Sequence, residues 1–321
     1  MSKTKKIVIC IALLAMIAGL IIVAATLFAI DFDFTRLSSV KYETNTYEIN
    51  DDFSSISVKT DTADIAFLPS KNGVCKVVCN ETEDMKHSVS VKDGTLIIEV
   101  ADEREWYGHI SLFNFGNEKI TVYLPKSEYK ALIIESDTSD INIPVDFKYE
   151  SIDISVSTGD VSNYASCTGS VKIEADTGDI SVEGIDAASV DLKTTTGEID
   201  INNVRCTGNI TVSVSAGDFT VEDTRSGSLT TTGNTGDVTL KSYIATGKLY
   251  IERSTGEIEI HGCDAGEIYI KTTTGDVSGT VLTDKTFSAD SSSGDIDIPK
   301  GTTGGVCYIK TSSGDIDLWV K

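Results

Sequence analysis

One glycine recurs along the second half of the chain at an almost constant interval. Successive copies are 19 or 20 residues apart, and most stand in the pattern Thr/Ser-Gly-Asp/Glu. A fixed period of this size is typical of solenoids, in which each repeat packs only against its neighbours. The sequence therefore predicts a regular solenoid over residues 146–321. The nine copies are Gly159, Gly178, Gly197, Gly217, Gly236, Gly256, Gly275, Gly294 and Gly314.

Alternation within each repeat predicts which side chains face inward, because neighbours on a strand point to opposite faces. Apolar residues occupy the position two after the glycine in every repeat and the position five before it in most repeats, and mostly Ser, Thr, Asp, Glu and Lys stand between them. The first of these inward columns is Val161, Ile180, Ile199, Phe219, Val238, Ile258, Val277, Ile296 and Ile316. We predict an all-β, single-stranded β-solenoid whose coils of about 19–20 residues hold two short strands and two turns.

Residues 31–145 also read as β structure, but without the regular glycine. Strand-length segments such as FSSISVKT, TLIIEVA and KITVYLP are bounded by Asn, Asp, Gly and Pro. We expect this region to begin and cap the solenoid. An insertion within it carries Trp106 and Tyr107. These aromatics either pack over the open end of the solenoid or form an exposed patch for a glycan or a protein partner.

The first thirty residues have a different composition. Lys3, Lys5 and Lys6 precede an uninterrupted apolar run, Ile7–Ile30. At about 1.5 Å per residue such a helix spans roughly 36 Å, enough to cross a bilayer. The run exceeds the roughly 7–15 apolar residues of a cleaved signal peptide, which is the alternative. We therefore predict a single-pass plasma-membrane anchor over residues 1–30, with the lysines in the cytoplasm and the remainder extracytoplasmic.

Charge and cysteine spacing exclude several classes of function. The formal net charge of -22 would repel nucleic acid, so no nucleic-acid partner is expected. Seven cysteines are present, but Cys75 and Cys79 stand too far apart along a strand to bond, as do Cys167 and Cys206 two repeats apart. We expect free, buried thiols, no Cys/His cluster for zinc and no cofactor.

An acidic residue follows each repeated glycine, so the coils should stack an acidic column. Its repetition argues against catalysis, because an active site is one place. At the C-terminal end Asp295, Asp297, Asp315 and Asp317 should form a two-by-two outward cluster across adjacent coils. This cluster is either a weak Ca²⁺ site, a charged docking face or a protection against edge pairing. The last strand should expose an unpaired edge that is prone to self-association.

The order of elements carries a resemblance to a known family. ISVKTDTADIAF, TLIIEV, KITVYLP and ALIIESDTSDINI are followed by recurrent TGD and SGD coils. This succession resembles the bacterial β-strand-repeat adhesin domain of unknown function, and it is similar to LiaG-like envelope proteins. The resemblance covers residues 42–321. It implies a β-solenoid on the cell surface, and it supplies no catalytic residues.

Two classes of function remain open from the sequence. The first is a non-enzymatic binding, adhesion or structural module of the cell envelope, related to envelope stress, with a wall polymer or a membrane protein as its partner. The second is a carbohydrate-active enzyme on a β-helix scaffold. Tyr250 and Tyr269 occupy matching outward positions in consecutive coils. They are either ordinary strand packing or a platform for a sugar.

Overall fold

A computed structural model describes residues 16–21, 25, 28, 42–82, 85–101, 118–301 and 303–321. Residues 16–21 are helical. No helix within the described residues is both long and apolar enough to span a bilayer. Most of the anchor predicted over 7–30 lies outside those residues, so it stays a prediction.

The described chain beyond residue 42 is built from thirty-two β-strands. The N-terminal part contains β1 (Tyr42–Ile49), β2 (Ser55–Thr60), β3 (Asp64–Pro69), β4 (Cys75–Thr82), β5 (Lys86–Lys92), β6 (Thr95–Ala101), β7 (Lys119–Leu124), β8 (Glu128–Thr138) and β9 (Ile141–Ile143). The regular part begins with β10 (Lys148–Thr158), β11 (Val161–Asn163), β12 (Ser166–Cys167), β13 (Ser170–Thr177), β14 (Ile180–Glu183), β15 (Asp186–Ala187), β16 (Ser189–Thr196), β17 (Ile199–Asn202) and β18 (Arg205–Cys206). It continues with β19 (Asn209–Ala216), β20 (Phe219–Glu222), β21 (Arg225–Ser226), β22 (Ser228–Thr235), β23 (Val238–Lys241), β24 (Ile244–Ala245), β25 (Lys248–Thr255) and β26 (Ile258–Cys263). The last strands are β27 (Glu267–Lys271), β28 (Val277–Val281), β29 (Thr286–Ser293), β30 (Ile296–Asp297), β31 (Val306–Ser313) and β32 (Ile316–Val320).

The strands stack coil upon coil into three sheets that are parallel except at the N-terminal end. The first sheet has the order β1-β4-β7-β3-β9-β11-β14-β17-β20-β23-β26-β28-β32-β30. The second runs β29-β31-β27-β25-β22-β19-β16-β13-β10-β8-β2-β6-β5, with β12 beside β10. The third sheet is small, β15-β18-β21-β24. The prediction of an all-β solenoid is therefore confirmed.

The central coils, from β13 to β24, have three sides, where the sequence predicted two. In the coil of residues 170–187, β13 lies in the second sheet, β14 in the first and the two-residue β15 in the third. The third side was missed because two residues are too few to show an alternating pattern.

The inward columns form the core. Ile199 and Ile258 are fully buried, as are the matching residues of the neighbouring coils. The repeated glycine is required where the turns stack. Gly178 has a φ of 142°, and a Cβ there would overlap the carbonyl oxygen of Gly159 in the previous coil. Any larger residue would therefore force the two coils apart.

The last coils are not stacked in sequence order. β32 pairs with β28 on one side and with β30 on the other, and β31 lies between β27 and β29. The expectation that the final strand forms an exposed edge is wrong, because the chain doubles back and inserts its last coil. The sheet edges at this end are β29 and β30. Ile296, predicted to be buried, is 44% exposed because β30 belongs to the terminal coil.

Antiparallel strands close the opposite end. β4 pairs antiparallel with β1 and β7 in the first sheet, and β5 pairs antiparallel with β6 in the second. The connection from β4 to β5 therefore crosses from one sheet to the other. We call β1, β4 and β5 the N-terminal cap.

Candidate binding surface

The aspartates that follow the repeated glycine bind the backbone of the neighbouring coil. The N–H of Asp179 donates to Oδ1 of Asp160 at 2.9 Å, and the N–H of Glu198 donates to Oδ1 of Asp179 at 2.8 Å. Equivalent bonds join Asp315 to Asp276 and Asp295 to Asp315, both at 2.8 Å. Stacked charges about 4.8 Å apart repel by about 1 kcal/mol in water, and charge-assisted hydrogen bonds oppose this repulsion. The carboxylates that accept these hydrogen bonds therefore help to hold neighbouring coils together.

The four C-terminal aspartates lie in adjacent coils. Asp297 and Asp317 are register partners on β30 and β32, and Asp295 is bonded to Asp315 through its backbone. Oδ1 of Asp317 is shielded from solvent and has no hydrogen-bond partner. A Ca²⁺ or docking role for the cluster stays a prediction.

Three half-buried tyrosines line the outer face of the second sheet near its C-terminal end. Tyr250 on β25 pairs in register with Tyr269 on β27, which pairs with Tyr308 on β31. We call Tyr250, Tyr269 and Tyr308 the tyrosine ladder. Tyr250 and Tyr269 were predicted from the sequence. Tyr308 was missed, because its place beside Tyr269 depends on the insertion of the last coil.

Charged side chains surround the tyrosine ladder. The Nζ atom of Lys248 lies 4.7 Å from the ring centroid of Tyr250 and 4.3 Å from that of Tyr269. The hydroxyl of Tyr250 donates to Oε2 of Glu252 at 2.6 Å, and Nζ of Lys271 donates to Oε1 of the same carboxylate at 2.6 Å. The hydrogen bond from Lys271, followed by that from Tyr250, lowers the pKa of Glu252. The surface thus combines apolar rings with fixed charges.

The arrangement suits an extended ligand. Aromatic rings offer apolar faces to sugar rings or acyl chains, and the lysine ammonium adds a donor and a positive charge. Ladder positions on adjacent strands are about 4.8 Å apart, so contacts repeat along the solenoid axis. The geometry can bind a polymer or a flat partner surface.

The matched region of the sequence covers the coils and the cap strands β4 and β5. Residues 53–242 and residues 207–321 each match the family model described as Toastrack DUF4097. The chain belongs to the Toastrack DUF4097 family. The predicted resemblance to an adhesin-like repeat domain of unknown function is thereby confirmed, whereas the closer likeness to LiaG-like proteins stays a prediction. No curated protein matches the sequence.

Several solved structures are similar to this Toastrack chain at low identity. A "putative adhesin" from Bacteroides fragilis is 13% identical, with 88% of this chain and 98% of that one covered and a TM-score of 0.40. A second "putative adhesin", from Parabacteroides distasonis, is 12% identical, with 87% of this chain and 98% of that one covered and a TM-score of 0.45. A "putative lipid binding protein" from the same species is 15% identical, with 86% of this chain and 97% of that one covered and a TM-score of 0.44.

The third side of the Toastrack coils borders a shallow groove of about 480 Å³. Lys148, Asp186 and Arg205 contribute charged groups to its walls. Trp106 and Tyr107, the other predicted surface residues, lie outside the described residues, so their role stays a prediction.

The expectation of no Cys/His cluster is wrong. The potential metal-ligating atoms of Cys79, Glu81 and His87 all lie within 4.8 Å of one another, and all three residues are buried. Sequence spacing carries only a weak signal, because Cys79 and Glu81 are two residues apart on one strand and His87 stands six residues further along. The six described cysteines are free, as predicted. Burial raises the pKa of the Cys75 and Cys307 thiols to about 12.

Proposed function

We propose that this chain is a non-enzymatic binding or adhesion module of the bacterial cell envelope. The predicted helix over Ile7–Ile30 anchors it in the plasma membrane, and the solenoid stands on the extracytoplasmic side. Its tyrosine ladder contacts a repeating envelope polymer. An envelope-stress role is part of the same proposal and is supported by the resemblance to LiaG-like proteins.

The observation that carries the binding role is the tyrosine ladder with Lys248 over two of its rings. In the preceding coils the same outward column holds Lys172, Asp191, Thr211 and Thr230. The column is therefore polar from β13 to β22 and then holds three tyrosines in successive strands. Apolar residues also occupy it at the N-terminal end, with Ile133 on β8 and Ile97 on β6. A local replacement of solvated side chains by half-exposed rings is what a binding surface requires.

The alternative of a carbohydrate-active enzyme needs acids set apart from the repeat. The aspartates that follow the repeated glycine instead hold the neighbouring backbone, as at Asp160 and Asp179. Their hydrogen bonds support a structural role. Incubation with purified wall polysaccharide should release no new reducing ends, and their appearance would favour the enzyme.

Binding can be tested by sedimentation of the detergent-solubilised full chain with purified cell-wall polymer. We expect Tyr269→Ala to weaken retention roughly five- to thirty-fold, the effect of losing about 1–2 kcal/mol. Tyr123→Ala is the matched control, because Tyr123 is a half-buried tyrosine with Lys76 Nζ 4.5 Å from its ring centroid on the first sheet. Equal retention of the two variants would contradict the assignment of the surface.

The topology is tested separately. Protease added to intact spheroplasts should digest the solenoid and spare a tag at the N-terminus. Disruption of the spheroplasts should then make the tag accessible. Protection of the solenoid in intact spheroplasts would show that the proposed orientation is wrong.

A further inference from the structure

We propose that Cys79, Glu81 and His87 form a metal site for a Zn²⁺-type ion inside the N-terminal cap. The thiol sulfur, one carboxylate oxygen and one imidazole nitrogen lie within 4.8 Å of one another. The site is independent of the tyrosine ladder, which stands near the other end of the solenoid. The site joins β4 of the first sheet to β5 of the second sheet.

The fold of the cap brings the three residues together. Cys79 and Glu81 are two residues apart on β4, so their side chains point to the same face, toward the interior. His87 follows on β5 after the chain has crossed to the second sheet. Its imidazole is directed back at Glu81, and Nδ1 lies 2.7 Å from Oε2. The crossing of the chain from β4 to β5 therefore brings the third donor, His87, beside the other two.

The donor separations, none above 4.8 Å, are compatible with a tetrahedral ion. Zinc bonds of about 2.0–2.3 Å place neighbouring donor atoms roughly 3.3–3.7 Å apart. The Nδ1–Oε2 pair is closer than this, as expected of two hydrogen-bonded groups, and the largest separation in the set is no more than 4.8 Å. Small side-chain movements around a common centre convert the hydrogen-bonded arrangement into a coordinated one.

Hydrogen bonds with neighbouring side chains already orient two of the three donor residues, Glu81 and His87. Oε1 of Glu81 accepts a hydrogen bond from Nδ2 of Asn45 at 2.7 Å, which leaves Oε2 directed at His87. Nε2 of His87 lies 2.9 Å from Oγ1 of Thr60. This contact fixes the ring with Nδ1 toward the donor set. Metal-binding imidazoles and carboxylates are commonly supported by such outer hydrogen bonds.

The donor types select the class of ion. Thiolate sulfur and imidazole nitrogen favour Zn²⁺ and similar transition ions, whereas Ca²⁺ and Mg²⁺ take oxygen ligands. The buried position suits a structural ion that enters as the chain folds. In that role the ion connects β4 to β5, and through Thr60 it supports the contact of the cap with β2.

Cobalt substitution tests the site directly. The full chain is unfolded, depleted of metal with a chelator, and refolded with one equivalent of Co²⁺. We expect one bound ion per chain with tetrahedral d–d absorption and a thiolate-to-Co²⁺ charge-transfer band in the near ultraviolet. Cys79→Ser should abolish the charge-transfer band. Cys75→Ser, which changes a buried cysteine on the same strand, should keep it.

A second variant covers the case in which Cys79→Ser fails to fold. His87→Gln keeps an amide able to bond Thr60 and Glu81 but removes the nitrogen ligand, so it should lose the tetrahedral spectrum with native far-ultraviolet circular dichroism. The proposal is overturned if the refolded wild-type chain binds no Co²⁺ or Zn²⁺. It is also overturned if the charge-transfer band persists in folded Cys79→Ser, disappears in folded Cys75→Ser, or is unchanged in folded His87→Gln.

Discussion

An arginine lies inside the solenoid, where the repeat otherwise places small or apolar side chains. Arg253 on β25 is 1% exposed, and it stands in register beside Gly233 of the preceding coil. Its guanidinium crosses that glycine and donates through Nη1 to the carbonyl oxygen of Val214, two coils away, at 2.9 Å. Nε and Nη2 have no hydrogen-bond partner. Burial lowers the pKa of this guanidinium.

The missing partners predict that Arg253→Met stabilises the protein. Each buried donor without a partner costs about 1–3 kcal/mol, and the single bond to Val214 contributes about 1.5–3 kcal/mol. Methionine has a similar reach and fills the space above Gly233 without a charge. We expect a net gain of about 1–3 kcal/mol, in line with the replacement of buried ionic groups by apolar ones.

Thermal unfolding followed by circular dichroism measures the effect, with wild type and variants compared under identical conditions. A gain of that size should raise the Tm by several degrees for a domain of this size. Arg253→Lys is the control. It keeps a buried charge on a shorter side chain, so it should lower stability by about 2–4 kcal/mol. If Arg253→Met lowers stability by more than about 1 kcal/mol, the guanidinium is well satisfied and the reasoning is refuted.

Three further perturbations follow from the stacking of the coils and from the buried thiols. Gly197→Ala should cost more than about 3 kcal/mol in thermal unfolding, because its Cβ would overlap the backbone of the previous coil; Gly73→Ala, also at positive φ but in open space, should cost about 1 kcal/mol. Ile258→Asp should cost several kcal/mol and the exposed Thr195→Ala little, and equal losses would contradict the assignment of the two faces. The stability that buried thiols such as Cys307 contribute should be fully present below pH 9 and should be lost toward pH 12. These thiols stay protonated in the folded chain, whereas in the unfolded chain they ionise above about pH 9. Between its unfolded-state and folded-state pKa values, each such thiol lowers the free energy of unfolding by about 1.4 kcal/mol per pH unit. Cys307→Ala should therefore make this decrease less steep. A denaturation profile that is flat from pH 9 to 11 would argue against this linkage.

The repeat predicted the fold because its period and its alternation act locally. A glycine every 19 or 20 residues requires a turn at the same place in every coil, and the alternating apolar residues decide which face is buried. Ile199 and Ile258 were assigned to the core on this basis, and both are fully buried. The same information could not reveal the short third side, where β15 contains only Asp186 and Ala187.

The order of the last coils could not be predicted, because their patterns are nearly interchangeable. SGDID occurs at residues 293–297 and again at 313–317, so either copy satisfies the same neighbours locally. The structure places the second copy inside, between β28 and β30. That choice buries Ile316, exposes Ile296 and completes the tyrosine ladder with Tyr308.

The sequence alone thus determined the all-β solenoid, its coil length and its inward columns, because those follow from backbone periodicity. Only the tertiary structure brought His87 to Cys79 and Glu81, since their meeting requires the chain to cross from the first sheet to the second. Only the tertiary structure placed Arg253 in the core, because burial there depends on the space that Gly233 leaves one coil away. Both arrangements depend on contacts between segments whose local sequence carries no information about their partner.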